Sequence, residues 1–294
     1  MKSPAFDYVR ATSEQHALAL LAQHGSDACL LAGGQTLLAT LNMRLSLPAL
    51  VVDIGELKQL AGISVNGSTL RIGALTRHVD VESSPLVERH APLLTQAAPH
   101  IAHPAIRNLG TFGGALAYAD PAAEWPACVV ALEGTVVLLG TAGERRVPAA
   151  DFFQGVYTTA RRDDELLIAC ELPVVGADVR HHFSELARRH GDYAIAGLAA
   201  CAHVQGVGEA AVLSQLRLVF LSLGDRPMRA RAAEAALQGG PLTGARLASA
   251  DAALREELSP YADLTHSAAA KKQLAATLMR RAVKALTAPT QEPA

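Results

Sequence analysis

Two pairs of adjacent glycines constrain the fold of this chain more than any other feature of its sequence. The first pair, residues 33–34, directly follows the apolar run 28–31, and the second pair, residues 113–114, stands well downstream. Each pair has a threonine close by, Thr36 or Thr111. Because glycine has no Cβ, the backbone N–H groups at such a turn stay open to the oxygens of a ligand. We therefore expect both turns to offer hydrogen-bond donors to a diphosphate, the first one at the start of a helix.

Neither turn matches the glycine patterns of the common nucleotide sites. The P-loop pattern G-x-x-x-x-G-K-[ST] is missing, and residues 206–208 begin the dinucleotide fingerprint G-x-G-x-x-G without completing it. Nucleotide hydrolysis and Rossmann-type dinucleotide binding are therefore unsupported. A purely structural use of the two turns is the alternative, because glycine marks tight turns in every class of protein.

The residues around the first glycine pair predict a small β-α-β-α-β unit, delimited by apolar runs and turn residues. Its elements are a strand at 6–9, a helix capped by Thr12 with Gln15 in a capping box and ended by Gly25, a strand at 28–31, a helix from Leu37 past Leu45 to Pro48, and a strand at 50–54.

Hairpin and helix signals follow as far as Pro173, and after it the pattern changes to strands followed by helices, which favours an α+β domain. The predicted elements are a hairpin over 63–72 about Asn66-Gly67, helical segments cut by Pro85, Pro92, Pro99 and Pro104, a helix from an N-cap at Asp120-Pro121 to Leu132, strands at 135–139, 166–171, 180–187, 195–204 and 216–223, and helices at 230–237, 245–258 and 267–286. We expect one domain over 1–175, with subdomains at about 1–56 and 57–175, a second over 176–287, and a tail at 288–294.

Charge and hydropathy exclude several kinds of partner. The net charge of −2 and the pI of about 6.6 leave no basic surface for nucleic acid or an anionic membrane. No apolar run reaches the length of a membrane span, and residues 1–7 lack the apolar core of a signal peptide. We expect a soluble, cytoplasmic protein.

The cysteines and histidines give no metal signature. The four cysteines stand far apart without a C-x-x-C pair, which argues against zinc, iron–sulfur clusters and disulfides and predicts four small buried side chains. The pairs 100/103 and 181/182 of the eleven histidines lack a third ligand. No Ser-His-Asp signature or paired acid and base is evident, so we predict neither a metal site nor a catalytic residue in this chain.

Longer motifs carry a family resemblance. Residues 30–38, continuing through 43–54, resemble the first FAD motif of the medium subunit of carbon monoxide dehydrogenase, which also marks the flavin domain of xanthine dehydrogenases. Residues 106–114 with 119–124 resemble the second motif of that family. Supporting stretches fall in family order at 72–76, 151–153, 164–167, 188–194 and 224–230. The likeness therefore covers nearly the whole chain.

The resemblance implies an α+β, two-domain FAD-binding fold of the vanillyl-alcohol-oxidase / CO-dehydrogenase-flavoprotein type, with a C-terminal small antiparallel sheet and helices. It implies that the two glycine turns wrap the diphosphate and ribityl chain, that three apolar residues pack on FAD, that Glu124 makes a polar contact, and that Tyr193 lies beside the isoalloxazine ring unless it is a half-buried core tyrosine. The implied FAD residues are Leu31, Ala32, Gly33, Gly34, Gln35, Thr36, Ile101, Thr111, Phe112, Gly113, Gly114, Ala115, Ala117, Glu124, Leu166 and Tyr193. Thr36, Phe112 and Ala115 depart from the commoner Ser, Ile and Asn or Ser of relatives.

The resemblance also implies an electron-transfer function. In this family, electrons pass from a molybdenum cofactor on a large subunit through two 2Fe-2S clusters on a small subunit to FAD on the medium subunit, and from there to an external acceptor. The expected assembly is a dimer of such heterotrimers, with the substrate pocket on another polypeptide. Two alternatives stay open: a free-standing flavin oxidoreductase, and a scaffold subunit that has lost its flavin.

Overall fold

The computed structural model describes residues 2–176 and 178–289, so most of the predicted tail, at 290–294, lies outside the described residues. The chain begins with a three-stranded parallel sheet in the order β1-β3-β2, built as the β-α-β-α-β unit that the sequence predicts. Its elements are β1 Asp7–Arg10, α1 Glu14–His24, β2 Ala28–Leu31, α2 Leu37–Asn42 and β3 Leu50–Asp53.

Two helix boundaries in this unit differ from the sequence prediction. The N-cap of α1 is Ser13 rather than Thr12, because the extended backbone at 13 lets its Oγ accept the N–H of His16 at 3.1 Å. Helix α2 ends at Asn42 instead of continuing to Pro48, since Arg44 takes a left-handed φ of 58° that closes the helix. Leu45, predicted on the apolar side, is 72 % exposed.

A five-stranded antiparallel sheet forms the next layer, in the order β4-β5-β10-β6-β7. Its strands are β4 Ile63–Asn66, β5 Thr69–Gly73, β6 Thr135–Gly140, β7 Gly143–Pro148 and β10 Leu166–Pro173, and a small hairpin consists of β8 Phe153–Gly155 and β9 Thr158–Thr159. The predicted hairpin at Asn66-Gly67 is confirmed. Strand β7 was not predicted, because its charged residues lie on a sheet edge.

Short helices connect the strands of this sheet. Three of them begin at prolines that the sequence places at breaks between predicted helical segments, because the fixed φ of proline suits a first helical position. The short helices are α3 His78–Glu82, α4 Pro85–His90, α5 Pro92–Ala97, α6 Pro104–Arg107, α7 Phe112–Tyr118, α8 Glu124–Ala131 and α9 Ala149–Phe152. The predicted N-cap at Asp120 is wrong. Left-handed Ala119 ends α7, and the Asp120 carboxylate accepts the Ala122 N–H at 2.9 Å in a separate turn, so α8 begins only at Glu124.

A four-stranded antiparallel sheet backed by helices completes the chain, in the order β11-β12-β13-β14. Its elements are β11 Val179–Leu186, β12 Ala196–Gln205, β13 Val212–Leu221, β14 Met228–Arg229, α10 Arg231–Leu237, α11 Gly244–Glu257 and α12 Ala268–Leu286. Within the described residues, no helix is both long and apolar enough to cross a membrane.

Strand β10 lies between two apolar cores, because successive side chains of a strand point to opposite faces. Leu166 and Ile168 pack with the first sheet and α1. Leu167 packs with the helices on the other face, in a core that includes Phe112 and Trp125 and continues to the third sheet. A third core fills the space between the last sheet and α10–α12.

Candidate functional site

The two glycine turns meet in space. A Cβ built on Gly33 would collide with the carbonyl oxygen of Leu109 and would lie 2.9 Å from the Cα of Gly110, just before the second turn. From the other side, a Cβ on Gly114 would lie 3.9 Å from the Cβ of Ala32. Only backbone without side chains allows this approach. We call the space between the turns the glycine cleft.

The first turn supplies free hydrogen-bond donors to the glycine cleft. Within the described part of the chain, the N–H groups of residues 33–36 form no hydrogen bond, whereas the N–H of Leu38 already bonds to the Gly34 carbonyl at 3.1 Å. The Gln35 side chain holds the turn by donating to the Gly33 carbonyl at 3.1 Å. Polar groups left unpaired beside a cleft are suited to a ligand rich in acceptor oxygens.

The second turn differs from the sequence prediction, because the N–H groups of both of its glycines are already bonded. The N–H of Gly113 donates to the Ala74 carbonyl at 2.8 Å, and that of Gly114 donates to Thr111 Oγ1 at 3.2 Å as an N-cap contact of α7. Its glycines serve close packing instead, since a Cβ on Gly113 would lie 2.6 Å from the Cα of Ala74. The glycines of the second turn therefore shape the glycine cleft, and the free backbone donors are those of residues 33–36 and the N–H of Thr111, which forms no hydrogen bond within the described residues.

Ten of the sixteen implied FAD residues line the glycine cleft. They are Ala32, Gly33, Gly34, Gln35, Thr36, Thr111, Gly113, Gly114, Ala115 and Ala117. The structure thus brings both predicted motifs to one cavity, from opposite sides of the contact between Gly33 and Leu109.

Four further implied residues lie behind the cleft wall. Phe112 is fully buried with its ring centroid 5.4 Å from that of Trp125, and Ile101 belongs to the same core. Leu166 points into the core under the first sheet, while its neighbour Leu167 lines the cleft, as strand alternation requires. Leu31 is half-buried outside the lining, beside Gly34.

The remaining two, Glu124 and Tyr193, belong to a group of acids and tyrosines next to the cleft. Tyr193 is 70 % exposed, and burial, followed by the Asp120 carboxylate, raises the pKa of its hydroxyl. Tyr118 lines the cleft with its ring centroid 4.8 Å from that of Tyr157, and burial is the main cause that raises its pKa to about 12. Burial, followed by the nearby Glu185 carboxylate, raises the pKa of Glu124 to about 8. A side chain that titrates near neutrality at a cleft is a feature of functional sites.

Sequence reasoning did not assign eleven further residues that line the cleft. They are Cys29, Leu30, Leu37, Ile54, Ala74, Leu75, His78, Gly110, Tyr118, Arg161 and Leu167. Seven of them lie in the stretches that carry the family resemblance, which was the available signal for them: Leu30, Leu37, Ile54, Ala74, Leu75, Gly110 and Leu167. Cys29, predicted as a buried side chain, is half-buried at the cleft, whereas the other three cysteines are buried as predicted.

Arg161 is the most informative of these additions. Of the described residues that line the cleft, it alone carries a permanent positive charge. Its Nη1 donates to the carbonyls of Arg162 and Glu165, each at 2.9 Å, which fixes the guanidinium in place. Free backbone donors, a cradle that any Cβ would fill and one cation together fit the diphosphate of a dinucleotide.

Comparison with known proteins agrees with this chemistry. Residues 4–175 match the model of the FAD binding domain in molybdopterin dehydrogenase, and residues 181–286 match that of the CO dehydrogenase flavoprotein C-terminal domain. The chain belongs to this family of molybdenum hydroxylase flavoproteins. The predicted family, α+β fold class and FAD cofactor are confirmed.

Relatives from this family of flavoproteins match the present chain over nearly its whole length. Subunit alpha of the 6-hydroxypseudooxynicotine dehydrogenase complex of Paenarthrobacter nicotinovorans is 39 % identical and covers 99 % of both chains. The carbon monoxide dehydrogenase medium chain of Hydrogenophaga pseudoflava is 36 % identical over 97 % of this chain and 98 % of its own. A solved structure of that carbon monoxide dehydrogenase, lacking the Mo-pyranopterin moiety, superposes with a TM-score of 0.92 at 38 % identity, covering 97 % of this chain and 98 % of the other.

Proposed function

We propose that this chain is the FAD-binding electron-transfer subunit of a molybdenum hydroxylase complex. The single observation that carries the proposal is the contact between Gly33 and the backbone at Leu109, which sets four unpaired N–H groups around one cleft. The family match makes FAD the dinucleotide for that cleft.

Each wall of the glycine cleft has its own part in holding FAD. The N–H groups of residues 33–36 and the guanidinium of Arg161 donate to the diphosphate, whose charge they balance without a lysine. The small residues 113–115 leave space for the cofactor along the opposite wall, and Leu167 would make an apolar contact with it. When bound, FAD would supply the redox chemistry, taking up electrons and passing them to an external acceptor.

The ring end of the cofactor belongs, in this proposal, at the group around Tyr118 and Tyr193. Exposed Tyr193 is free to pack on a planar ring, and its hydroxyl lies in the field of the Asp120 carboxylate. Glu124, with its raised pKa, keeps a protonated carboxyl next to Tyr193 at neutral pH. We place the FAD-binding domain at 1–175 and a second domain at 176–287, with the cofactor between them; packing of α8 on β12 and β13 joins the two.

We propose that the partners are a large molybdenum-cofactor subunit and a small subunit with two 2Fe-2S clusters, assembled as a dimer of heterotrimers. Relatives such as the carbon monoxide dehydrogenase medium chain are, by their names, subunits of larger enzymes. We also place the complex in the cytoplasm. All four cysteines in the chain are unpaired, which suits a reducing compartment.

The experiment is to purify the tagged full chain from cells that make its whole complex, and to identify what it binds. We expect a yellow protein that co-purifies with a molybdenum protein and an iron–sulfur protein. Substrate should reduce the flavin only in the complete complex. A folded but colourless complex contradicts the FAD assignment and favours the scaffold alternative, whereas robust substrate oxidation by the chain alone favours a free-standing flavin oxidoreductase.

A further inference from the structure

His78 is a cleft residue that neither family motif includes. It is the first residue of α3, it is buried, and it lines the glycine cleft. The edge of its ring faces Gly110, where an added Cβ would lie 2.7 Å from both Cδ2 and Nε2. Glycine at 110 therefore leaves room for the imidazole to reach the cleft.

A hydrogen bond from Trp125 sets the tautomer of this histidine. The indole Nε1–H donates to His78 Nδ1 at 2.9 Å, deep in the protein, with the ring centroids 5.9 Å apart. Because an indole nitrogen can only donate, Nδ1 must be the unprotonated nitrogen and Nε2 must carry the hydrogen.

The Nε2–H has no acceptor within the described part of the chain, although the side chain lines the glycine cleft. The ring also stays neutral. Burial, followed by the positive charges of Arg107 and Arg77, lowers the pKa of His78 to about 4. Around neutral pH the ring is therefore uncharged and has one N–H, which is held in one orientation.

We propose that the His78 Nε2–H is a fixed, neutral hydrogen-bond donor to a phosphate oxygen of the bound dinucleotide, and that Trp125 is the residue that positions it. This inference rests on the proposed function, since it needs FAD in the glycine cleft. It adds a side-chain donor from the wall of the second turn, where the N–H groups of both glycines are already bonded.

A matched pair of substitutions separates this role from plain packing. In His78→Gln the amide nitrogen reaches the position of Nε2, while His78→Asn is too short to reach it and keeps only a polar group near Nδ1. The dissociation constant of FAD is measured for the full chain after FAD removal, by flavin fluorescence. We expect His78→Asn to weaken binding about ten- to a hundredfold, and His78→Gln to stay within about threefold of the wild type.

The controls keep the two proposals apart. Thermal unfolding of the FAD-free proteins checks that both variants fold, and His24→Asn, a histidine outside the cleft, should bind FAD as the wild type does. If His78→Asn binds FAD as tightly as the wild type does, the role of His78 is overturned and the proposed function is not. A folded wild-type chain that binds no FAD overturns the proposed function instead.

A second measurement does not depend on a variant folding. With ¹⁵N-labelled histidine in the wild-type chain, the His78 ring should show the Nε2–H tautomer without FAD, and this N–H signal should shift when FAD is added. An Nδ1–H tautomer, or an Nε2–H signal that FAD leaves in place, overturns the inference. In Trp125→Phe the same signal should broaden into exchange between tautomers, because the donor that selects one of them is gone.

Discussion

Gly33 and Leu109 touch through their backbones alone: the side of Gly33 that a Cβ would occupy faces the carbonyl oxygen of Leu109. The same carbonyl accepts a hydrogen bond from Arg77, which keeps the Leu109 peptide in position. The contact joins the turn after β2 to the segment before α7 and fixes the width of the glycine cleft. Any side chain at 33 must push these two walls apart.

We expect Gly33→Ala to lose FAD and to lose stability as well. The added methyl group meets backbone rather than a flexible side chain, so overpacking should lower the free energy of unfolding by roughly 1–3 kcal/mol. The displaced N–H donors should weaken FAD binding more than about tenfold. Flavin content after purification and urea unfolding of the FAD-free chain measure the two effects.

The control for this substitution is Gly244→Ala. An added Cβ there meets nothing within 4 Å, and residue 244 is the first of helix α11, where alanine is tolerated. Both flavin content and stability should match those of the wild type. A Gly33→Ala protein with full flavin content would show that the contact at Leu109 does not define the site.

Arg161→Ala should weaken FAD binding without unfolding the chain. Removing the one permanent cation of the lining should raise the dissociation constant about ten- to a hundredfold, the value of a charge-assisted hydrogen bond of roughly 1.5–3 kcal/mol. The affinity of the variant should also depend less on salt than that of the wild type. Titration of the FAD-free chain at two salt concentrations tests both points.

Arg162→Ala is the matched control, because this exposed neighbour does not line the cleft. Its affinity for FAD should stay within about threefold of the wild type. If both arginine variants bind equally well, the Arg161 guanidinium does not contribute to holding the diphosphate.

Local patterns in the sequence were enough to find the first turn. The run 28–31 is apolar and ends at a glycine pair, and the strand Ala28–Leu31 is confirmed to the residue. The hairpin about Asn66-Gly67 is confirmed for the same reason, since its turn chemistry is local. Such features need no information from distant parts of the chain.

Long-range packing decided what the sequence could not predict. Arg161 and His78 reach the cleft only because β10 and α3 pack beside the turns. The charged sequence of strand β7 is typical of a loop. In the structure, Arg145 pairs with Glu165 at 2.6 Å and Arg146 pairs with Glu171 at 3.0 Å. These pairings join residues that are distant in sequence, so no local pattern predicts them.

The donors of the second turn are a subtler case. Its glycines resemble those of the first turn in sequence. The N–H of Gly113, however, donates to the carbonyl of Ala74, the residue that follows strand β5. A glycine pair predicts that a close approach occurs and leaves open whether a ligand or another part of the chain makes it.

Glu124→Gln should remove a pH dependence of stability. The pKa of Glu124 is raised to about 8 in the folded protein, chiefly by burial, so the folded state keeps a proton that the unfolded state gives up at lower pH. From the ordinary carboxyl pKa up to about 8, the free energy of unfolding contributed by this group therefore falls as pH rises. Relative to the wild type, the variant should gain on the order of 2 kcal/mol across that window, a value reduced by the solvent contact that the carboxyl retains.

Urea unfolding of the FAD-free chain at a series of pH values measures this difference. Asp120 and Glu185, the charged neighbours of Glu124, are present in both proteins, so the comparison isolates the group at position 124. Glu88→Gln, at an exposed glutamate, is the control for the chemical change from Glu to Gln itself. A difference between Glu124→Gln and the wild type that stays constant with pH would mean that this carboxyl titrates normally.

Glu234→Ala should destabilise the C-terminal sheet while leaving the FAD affinity unchanged. The Glu234 carboxylate is buried, where it accepts the N–H of Leu218 at 2.8 Å and the Nε–H of Arg229 at 3.0 Å. It thereby ties α10 to β13 at the point where the short strand β14 gives little pairing.

Alanine at 234 leaves both donors without their acceptor, so we expect the free energy of unfolding to fall by roughly 3–5 kcal/mol. Glu234→Gln keeps an acceptor oxygen and should lose less. Because Glu234 does not line the glycine cleft, both variants should bind FAD with the affinity of the wild type below their unfolding temperatures. A loss of FAD affinity in a folded Glu234→Ala protein would reveal that the sheet, and not the cleft alone, sets the geometry of the binding site.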